Sequence, residues 1–251
     1  MAFNLSEEIK RRIAIVRNLS KEELLSLSKI VKASFDNLDV FRFTNGNGMQ
    51  YEYVQFPVTE GGVSPEIFEA IGLLIAWHAF QNKYVEQVDA LFTESDYGGG
   101  QVITATSAYT GLKSYWANQY AQDILNSVPS ITSIKAQSGY RSEVHVGVPS
   151  MEGTKTVLVV DDIISTGGTF KELLSSIKKM DVTPKAFYAV GEKLAFNGRA
   201  ALHELHPELP IITLVQVKHI LYDDAEHRSA EGKPIGVTKV VDDGIIFYTK
   251  S

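Results

Sequence analysis

The chain has 251 residues, 44% of them hydrophobic and 22% charged, with a formal net charge of −6 and no cysteine. That length can bury a substantial core in one or two domains. The acidic balance argues against broad nucleic-acid binding, and the lack of cysteine excludes disulfides and thiolate metal sites. The N-terminal stretch "MAFNLSEEIKRRIAIVRN" mixes charges into its apolar residues and has no signal-peptide core. No apolar run reaches the ~20 residues needed to span a bilayer. The expectation is a cytoplasmic protein with no membrane partner.

In chain order, residues 6–36 predict two helices. Ser20, with Glu23 three residues on, forms a capping box, and Leu24, Leu27, Ile30 and Val31 then recur at helical spacing. Residues 39–57 read as a hairpin, "VFRFTN" and "YEYVQF" about a "GNG" turn. Ser64 and Pro65 suit the N-cap and first position of a helix through "EIFEAIGLLIAWHAF". Strands and helices then alternate. "VDALFT" (88–93) is a strand followed by "ESDYGGG", and a helical stretch with a break near Gly111 runs to about Asn126. "ITSIK" (131–135) is a strand, and the polar, aperiodic run 136–155 reads as a mobile excursion. "TVLVV" (156–160) is the strongest strand signal. Phe170, Leu173, Leu174 and Ile177 share one face of the helix that follows. "KAFYAV" and "IITLVQV" are further strands, and "VTKVVDDGIIFYTK" reads as a C-terminal hairpin turning at Asp243-Gly244. The alternation predicts an α/β fold, a doubly wound parallel sheet with helices on both faces. Residues 1–38 precede it as a helical pair.

"VLVVDDIISTGGT" (157–169) carries the most chemistry. Ligands of open parallel sheets collect at the carboxyl ends of strands, and Asp161 and Asp162 stand at such an end. Gly167 and Gly168 let the backbone turn and approach a ligand closely. The unpaired amides of the helix opening at Thr169 and Phe170 favour an anion, phosphate above all, and Ser165, Thr166 and Thr169 add hydroxyl donors. One short segment thus offers donors for a phosphate beside acceptors for a vicinal diol, the two halves of a sugar phosphate. Mg²⁺, which takes oxygen ligands and retains waters, also suits the acid pair. Among the six histidines no metal-ligand spacing such as HExxH occurs.

"VVDDIISTGGT" resembles the phosphoribosyl-diphosphate (PRPP) motif of the type I phosphoribosyltransferases. "GEKLAFNGRAALHEL" (191–205) and "YVQFPVTEGGVSPEIF" (53–68) resemble the purine branch, which includes archaeal hypoxanthine/guanine, adenine and xanthine enzymes. The resemblance is fullest over 88–195. It implies a phosphoribosyltransferase domain over 39–251, with a hood over the base contributed by about 39–62 and the C-terminal segment. It also implies transfer of a 5-phosphoribosyl group from PRPP to a purine, Mg²⁺ as cofactor, and a homodimer that binds no nucleic acid. Ser165, Thr166, Gly167, Gly168 and Thr169 would bind the 5-phosphate of PRPP. Glu94 and Ser95, in "LFTESDYGGG" (91–100), would lie in the pyrophosphate loop. Lys135 would meet pyrophosphate from a strand end. The loop with Arg141, Glu143 and His145 would close over the reaction and exclude water. Lys193 would donate to a 6-carbonyl, and Phe56 is a candidate for the hood side chain that would meet the base. Asp161 and Asp162 would hold the ribose hydroxyls and the metal.

One position departs from part of the family. Human-type hypoxanthine–guanine enzymes carry a third acid, proposed as the base for the purine ring nitrogen, where this chain has Ser165. Serine does not act as a base at neutral pH, so either Glu143 takes the proton or the purine enters deprotonated. The resemblance favours a 6-oxopurine through Lys193, with adenine as the alternative. A regulator that senses PRPP without catalysis is a reading of another class. It needs a DNA-reading module, for which residues 1–38 offer two short helices without marked basic charge.

Overall fold

The computed structural model describes residues 5–44, 48, 50–60, 63–94, 97–119, 131–136, 144–223, 232–241 and 247–249. Helices α1 (Leu5–Arg17) and α2 (Lys21–Ala33) lead into a hairpin, β1 (Asp39–Thr44) and β2 (Gln50–Val54). A single turn, α3 (Pro57–Glu60), and the long α4 (Pro65–Gln81) follow. Next come β3 (Ala90–Glu94), α5 (Tyr97–Thr110), β4 (Lys113–Gln119), β5 (Ile131–Ala136), β6 (Val144–Pro149) and β7 (Thr156–Ile164). The remainder is α6 (Gly168–Lys179), β8 (Thr183–Lys193), α7 (Gly198–Leu205), β9 (Ile211–Leu221) and β10 (Gly236–Val240).

The strands form one sheet in the order β2-β1-β10-β9-β8-β7-β3-β4-β6-β5. Its centre, β4-β3-β7-β8-β9, is parallel throughout. Numbered along the chain, these five strands run 2-1-3-4-5, a doubly wound order whose direction of winding reverses between β3 and β7. Antiparallel strands extend the sheet at both ends: β10, β1 and β2 beyond β9, and β6 and β5 beyond β4. Among the described residues no helix is long and apolar enough to cross a membrane.

The apolar pattern explains both faces. On one side Leu158, Val160, Tyr188 and Leu214 meet α2, α4 and α5 through Val31, Leu74 and Ile103. On the other, Val157, Val159 and Phe187 meet Phe170, Leu173, Leu174 and Ile177 of α6. Those four α6 residues are at most 4% exposed, and burial of each such side chain contributes about 1.5–3 kcal/mol. The N-terminal helices are part of this packing: Leu24 and Val31 of α2 join the first core, and Val16 of α1 packs with Leu73, Ala76 and Phe80 of α4.

Three readings of the sequence require correction. The helix after "ESDYGGG" stops at Thr110, where Gly111 takes φ +72°, and residues 113–119 are strand β4, parallel to β3. Helical spacing there is overridden by the vacant edge of β3, whose ladder Lys113–Ala117 completes. Part of the excursion 136–155 is strand β6, which pairs with β5 from Ile131↔Pro149 to Ala136↔Val144. Among the described residues the C-terminal stretch pairs with other strands instead of with itself: β10 runs antiparallel to β9 and β1, and Tyr248 pairs with Thr213 further along β9. The turn at Asp243-Gly244 lies outside the described residues.

The capping box of α2 forms as read: the Ser20 hydroxyl accepts from the Glu23 amide, and the Glu23 carboxylate accepts from the Ser20 amide at 2.8 Å. Ser20→Ala is expected to lower the unfolding free energy by about 1 kcal/mol, read from chemical denaturation; an unchanged midpoint would show that the cap adds nothing.

Candidate functional site

The crevice between the carboxyl ends of β3 and β7 gathers the charged centre of the molecule. β7 runs past its apolar stretch and through both acids, so Asp161 and Asp162 are strand residues, only 4% and 5% exposed. The N-terminus of α5 faces them. A Cβ on Gly98 would overlap the Asp162 carboxylate. One on Gly99 would lie 2.6 Å from Asp161 Oδ1 and from Thr93 Oγ1. Glycine is the residue that lets this helix start rest on two carboxylates. The segment after β3 and the segment after β7 therefore form one surface.

Beyond the acids the chain turns through Ser165 and Thr166 to Gly167, the N-cap of α6, at φ +78°. A side chain there would be strained by its backbone and would meet the Gly198 carbonyl oxygen at 3.0 Å. The first amides of the twelve-residue α6 open at this point, with Gly168 its first residue and Thr169 its second. Thr166 is exposed and Ser165 half-buried. Two hydroxyl oxygens at the crevice, Thr93 Oγ1 and Ser165 Oγ, are buried and have no hydrogen-bond partner among the described residues. Unpaired buried hydroxyls cost stability unless a ligand meets them.

The far side of the site is built by β8, which extends past "KAFYAV" to Lys193. Its last two residues serve opposite faces. Glu192 is buried and accepts from Arg199 Nε at 3.0 Å and Nη2 at 2.6 Å, with a further bond from Gln216 Nε2 at 3.0 Å. Arg199 also donates to the Ile211 carbonyl at 2.6 Å, Thr213 Oγ1 at 2.9 Å and the Tyr248 carbonyl at 3.3 Å. This network ties β8, α7, β9 and the C-terminal stretch together under the site. Lys193, 5% exposed, has its ammonium 5.3 Å from the Phe56 ring and 5.9 Å from the Phe196 ring. Burial pushes its pKa down to about 8, against the opposing pull of the Asp162 and Glu52 carboxylates.

Among the residues singled out from the sequence, Asp161, Asp162, Ser165, Thr166, Gly167, Gly168 and Lys193 lie around this crevice, with Glu94 closing β3. Thr169 lies in the first turn of α6 and Lys135 on β5, the outermost strand beyond β4. Phe56 is wholly buried, its ring 5.0 Å from that of Phe35, and it presents no open face; the partly exposed ring beside Lys193 is Phe196. Ser95, Arg141 and Glu143 lie outside the described residues. Sequence reasoning missed Thr93, Phe196 and the Glu192–Arg199 network. A Glu and an Arg seven apart carry no pattern that separates a buried pair from two solvated side chains.

No family model matches the chain. Over 145 residues it is 26% identical to a hypoxanthine/guanine phosphoribosyltransferase of Methanotorris igneus, spanning 57% of this chain and 74% of that one. Over 60 residues it is 43% identical to an adenine phosphoribosyltransferase of Synechocystis, spanning 24% of this chain and 33% of that one. Among solved structures it is similar to the adenine phosphoribosyl transferase of Trypanosoma brucei, with a TM-score of 0.58 and 14% identity over 76% of this chain and 79% of that one.

The position of Lys193 generates a test. Its folded pKa, about 8, lies below the ordinary 10.5, so between these values the unfolded chain binds more protons and stability rises with pH. The unfolding free energy of the wild type relative to Lys193→Met is expected to increase from pH 8 to pH 10.5, measured by chemical denaturation. A pH-independent difference would mean that the ammonium is not desolvated.

Proposed function

We propose, from the grouping of this chain with the purine-branch type I phosphoribosyltransferases, that it transfers the 5-phosphoribosyl group of PRPP to a purine and releases pyrophosphate, a salvage reaction. The observation that carries this reading is the contact of Gly98 and Gly99 with the acid pair Asp162 and Asp161 at the reversal of sheet winding. A helix start, two buried carboxylates and a second helix start at Gly168 converge there. They match a molecule with an anion at each end and a diol between.

In this reading the α6 amides and the Ser165 and Thr166 hydroxyls grip the 5-phosphate, remote from the reacting bond, and so orient the ribose. Asp161 and Asp162 accept from the ribose hydroxyls. As the bond from the anomeric carbon to pyrophosphate breaks, positive charge develops on the ring, and the two carboxylates stabilise it from a buried position. Glu94 and the Tyr97–Gly100 helix start flank the departing diphosphate. Lys193 donates to the purine edge, and the Phe196 ring lies beside it. The hard oxygen donors of Asp161 and Asp162 fit Mg²⁺, which they would hold together with substrate oxygens and water; the ion would neutralise charge on the diphosphate. Lys135 meets pyrophosphate, the 141–145 segment closes the site, and Glu143 takes the proton of the purine. The hood is β1, β2 and the C-terminal strands, and the working form is a homodimer.

Incubation with PRPP, Mg²⁺ and a panel of adenine, hypoxanthine, guanine, xanthine, uracil and orotate is expected to release pyrophosphate with a purine. Binding of DNA with no turnover of any base would instead favour a regulator that senses PRPP. Asp161→Asn and Asp162→Asn are each expected to lower kcat by at least about a hundredfold, the scale of losing one electrostatic stabiliser, with the fold retained by circular dichroism. Lys193→Ala should lower turnover of hypoxanthine more than that of adenine; an unchanged ratio removes Lys193 from base choice.

A further inference from the structure

A second polar pair stands next to Lys193 and has no part in the reaction described above. His219 lies on β9 two residues beyond Val217, the Cα partner of Lys193 on β8. Alternation along the strand puts His219 and Lys193 on the same face. The His219 side chain is only 4% exposed, and its Nδ1 is 2.6 Å from Oε2 of Glu52 on β2. The other oxygen of Glu52 accepts from Arg42 Nη2 at 3.3 Å, so the carboxylate is held from both sides. The remaining ring nitrogen, His219 Nε2, is buried and has no hydrogen-bond partner among the described residues. The Phe196 ring meets the imidazole edge to face at 6.1 Å and also stands 5.9 Å from the Lys193 ammonium.

An ionised Glu52 accepts a hydrogen bond, which places the ring proton of a neutral His219 on Nδ1 and leaves Nε2 as a lone-pair acceptor. Lys193 offers only donors. The two side chains therefore present a donor and an acceptor on one face of the sheet, each beside the Phe196 ring. That is the complement of a lactam edge, a carbonyl oxygen adjacent to a ring N–H, as in O6 and N1–H of a 6-oxopurine. Adenine presents the reverse order, an amino donor beside a ring acceptor, and would meet both groups unfavourably. Phe196, partly exposed and carried on the single turn Leu194–Phe196, stands edge to face with the imidazole and borders this face.

We infer that His219 is a specificity-determining residue that accepts the N–H of the base's lactam edge while Lys193 donates to its carbonyl, and that Glu52 is the positioning residue that fixes the tautomer. The inference rests on the phosphoribosyl-transfer reading and makes the acceptor a 6-oxopurine. Uracil carries the same edge on a smaller ring and is the control for ring size.

The experiment compares kcat/KM for hypoxanthine, adenine and uracil in the wild type, His219→Phe and Glu52→Gln. His219→Phe keeps a ring against Phe196 and removes the acceptor. Glu52→Gln supplies an amide donor that moves the ring proton to Nε2. Both are expected to lower the hypoxanthine-to-adenine ratio by about tenfold or more, with KM for PRPP within about twofold of the wild type. Calorimetric binding of IMP and AMP, which needs no turnover, should shift in the same direction. Hypoxanthine should exceed uracil in the wild type. Unchanged ratios in both variants overturn the inference, as does a wild type that uses adenine and refuses 6-oxopurines, although phosphoribosyl transfer then stands. A wild type that turns over no base overturns both readings.

Discussion

Two adjacent carboxylates buried at the end of one parallel strand set the terms for the rest of this structure. Removing a charged group from water is costly unless charges and dipoles replace the water. Asp161 and Asp162 are almost without solvent contact, and the molecule answers with what lies around them. The start of α5 presses against both through glycine, and the Lys193 ammonium attracts Asp162 across the crevice. Lys193 in turn is buried, and its lowered pKa measures the cost of bringing a cation to that place. Asp162 and Lys193 thus partly offset the cost of each other's burial.

The sheet makes this arrangement rigid. Because the winding reverses between β3 and β7, the loops after these strands diverge to opposite faces and leave a crevice between them. On the other side of β7, β8 ends with Glu192 and Lys193 on opposite faces. Glu192 is locked into a buried pair whose oxygens and protons are shared among Arg199, Thr213 and Gln216. A buried pair so fully bonded avoids the penalty of an isolated ion. It also holds the strand end from which Lys193 points the other way.

Much of this was legible in the sequence, and the parts that were not have physical causes. The acid pair, the glycine turn and the helix after them are contiguous, so local chemistry at 157–169 declares itself. Ser20 with Glu23, and Ser64 with Pro65, are likewise local devices, and both form as read. The strand β4 was hidden because "KSYWANQ" has neither clean alternation nor an apolar run; only the open edge of β3 makes it a strand. Strand β6, "VHVGVP", does alternate, but the polar, glycine-bearing residues around it masked that short signal; its pairing with β5 makes it a strand. Phe56 looked like a hood residue by position and lies in the core instead, beneath Phe35. The side chains that surround Lys193 come from β2, β9 and the turn after β8, places far apart along the chain, and no spacing rule relates them.

The meeting of Gly98 and Gly99 with the acid pair has a consequence for how such a protein can change. The two segments, some sixty positions apart in the chain, meet as glycine backbone against carboxylate, too close for a Cβ between them. Neither can be reshaped alone: a bulkier residue at one dislodges the charge carried by the other. Transplanting either segment into a related scaffold would fail unless its counterpart travelled with it, so the two behave as one inherited part written in two places.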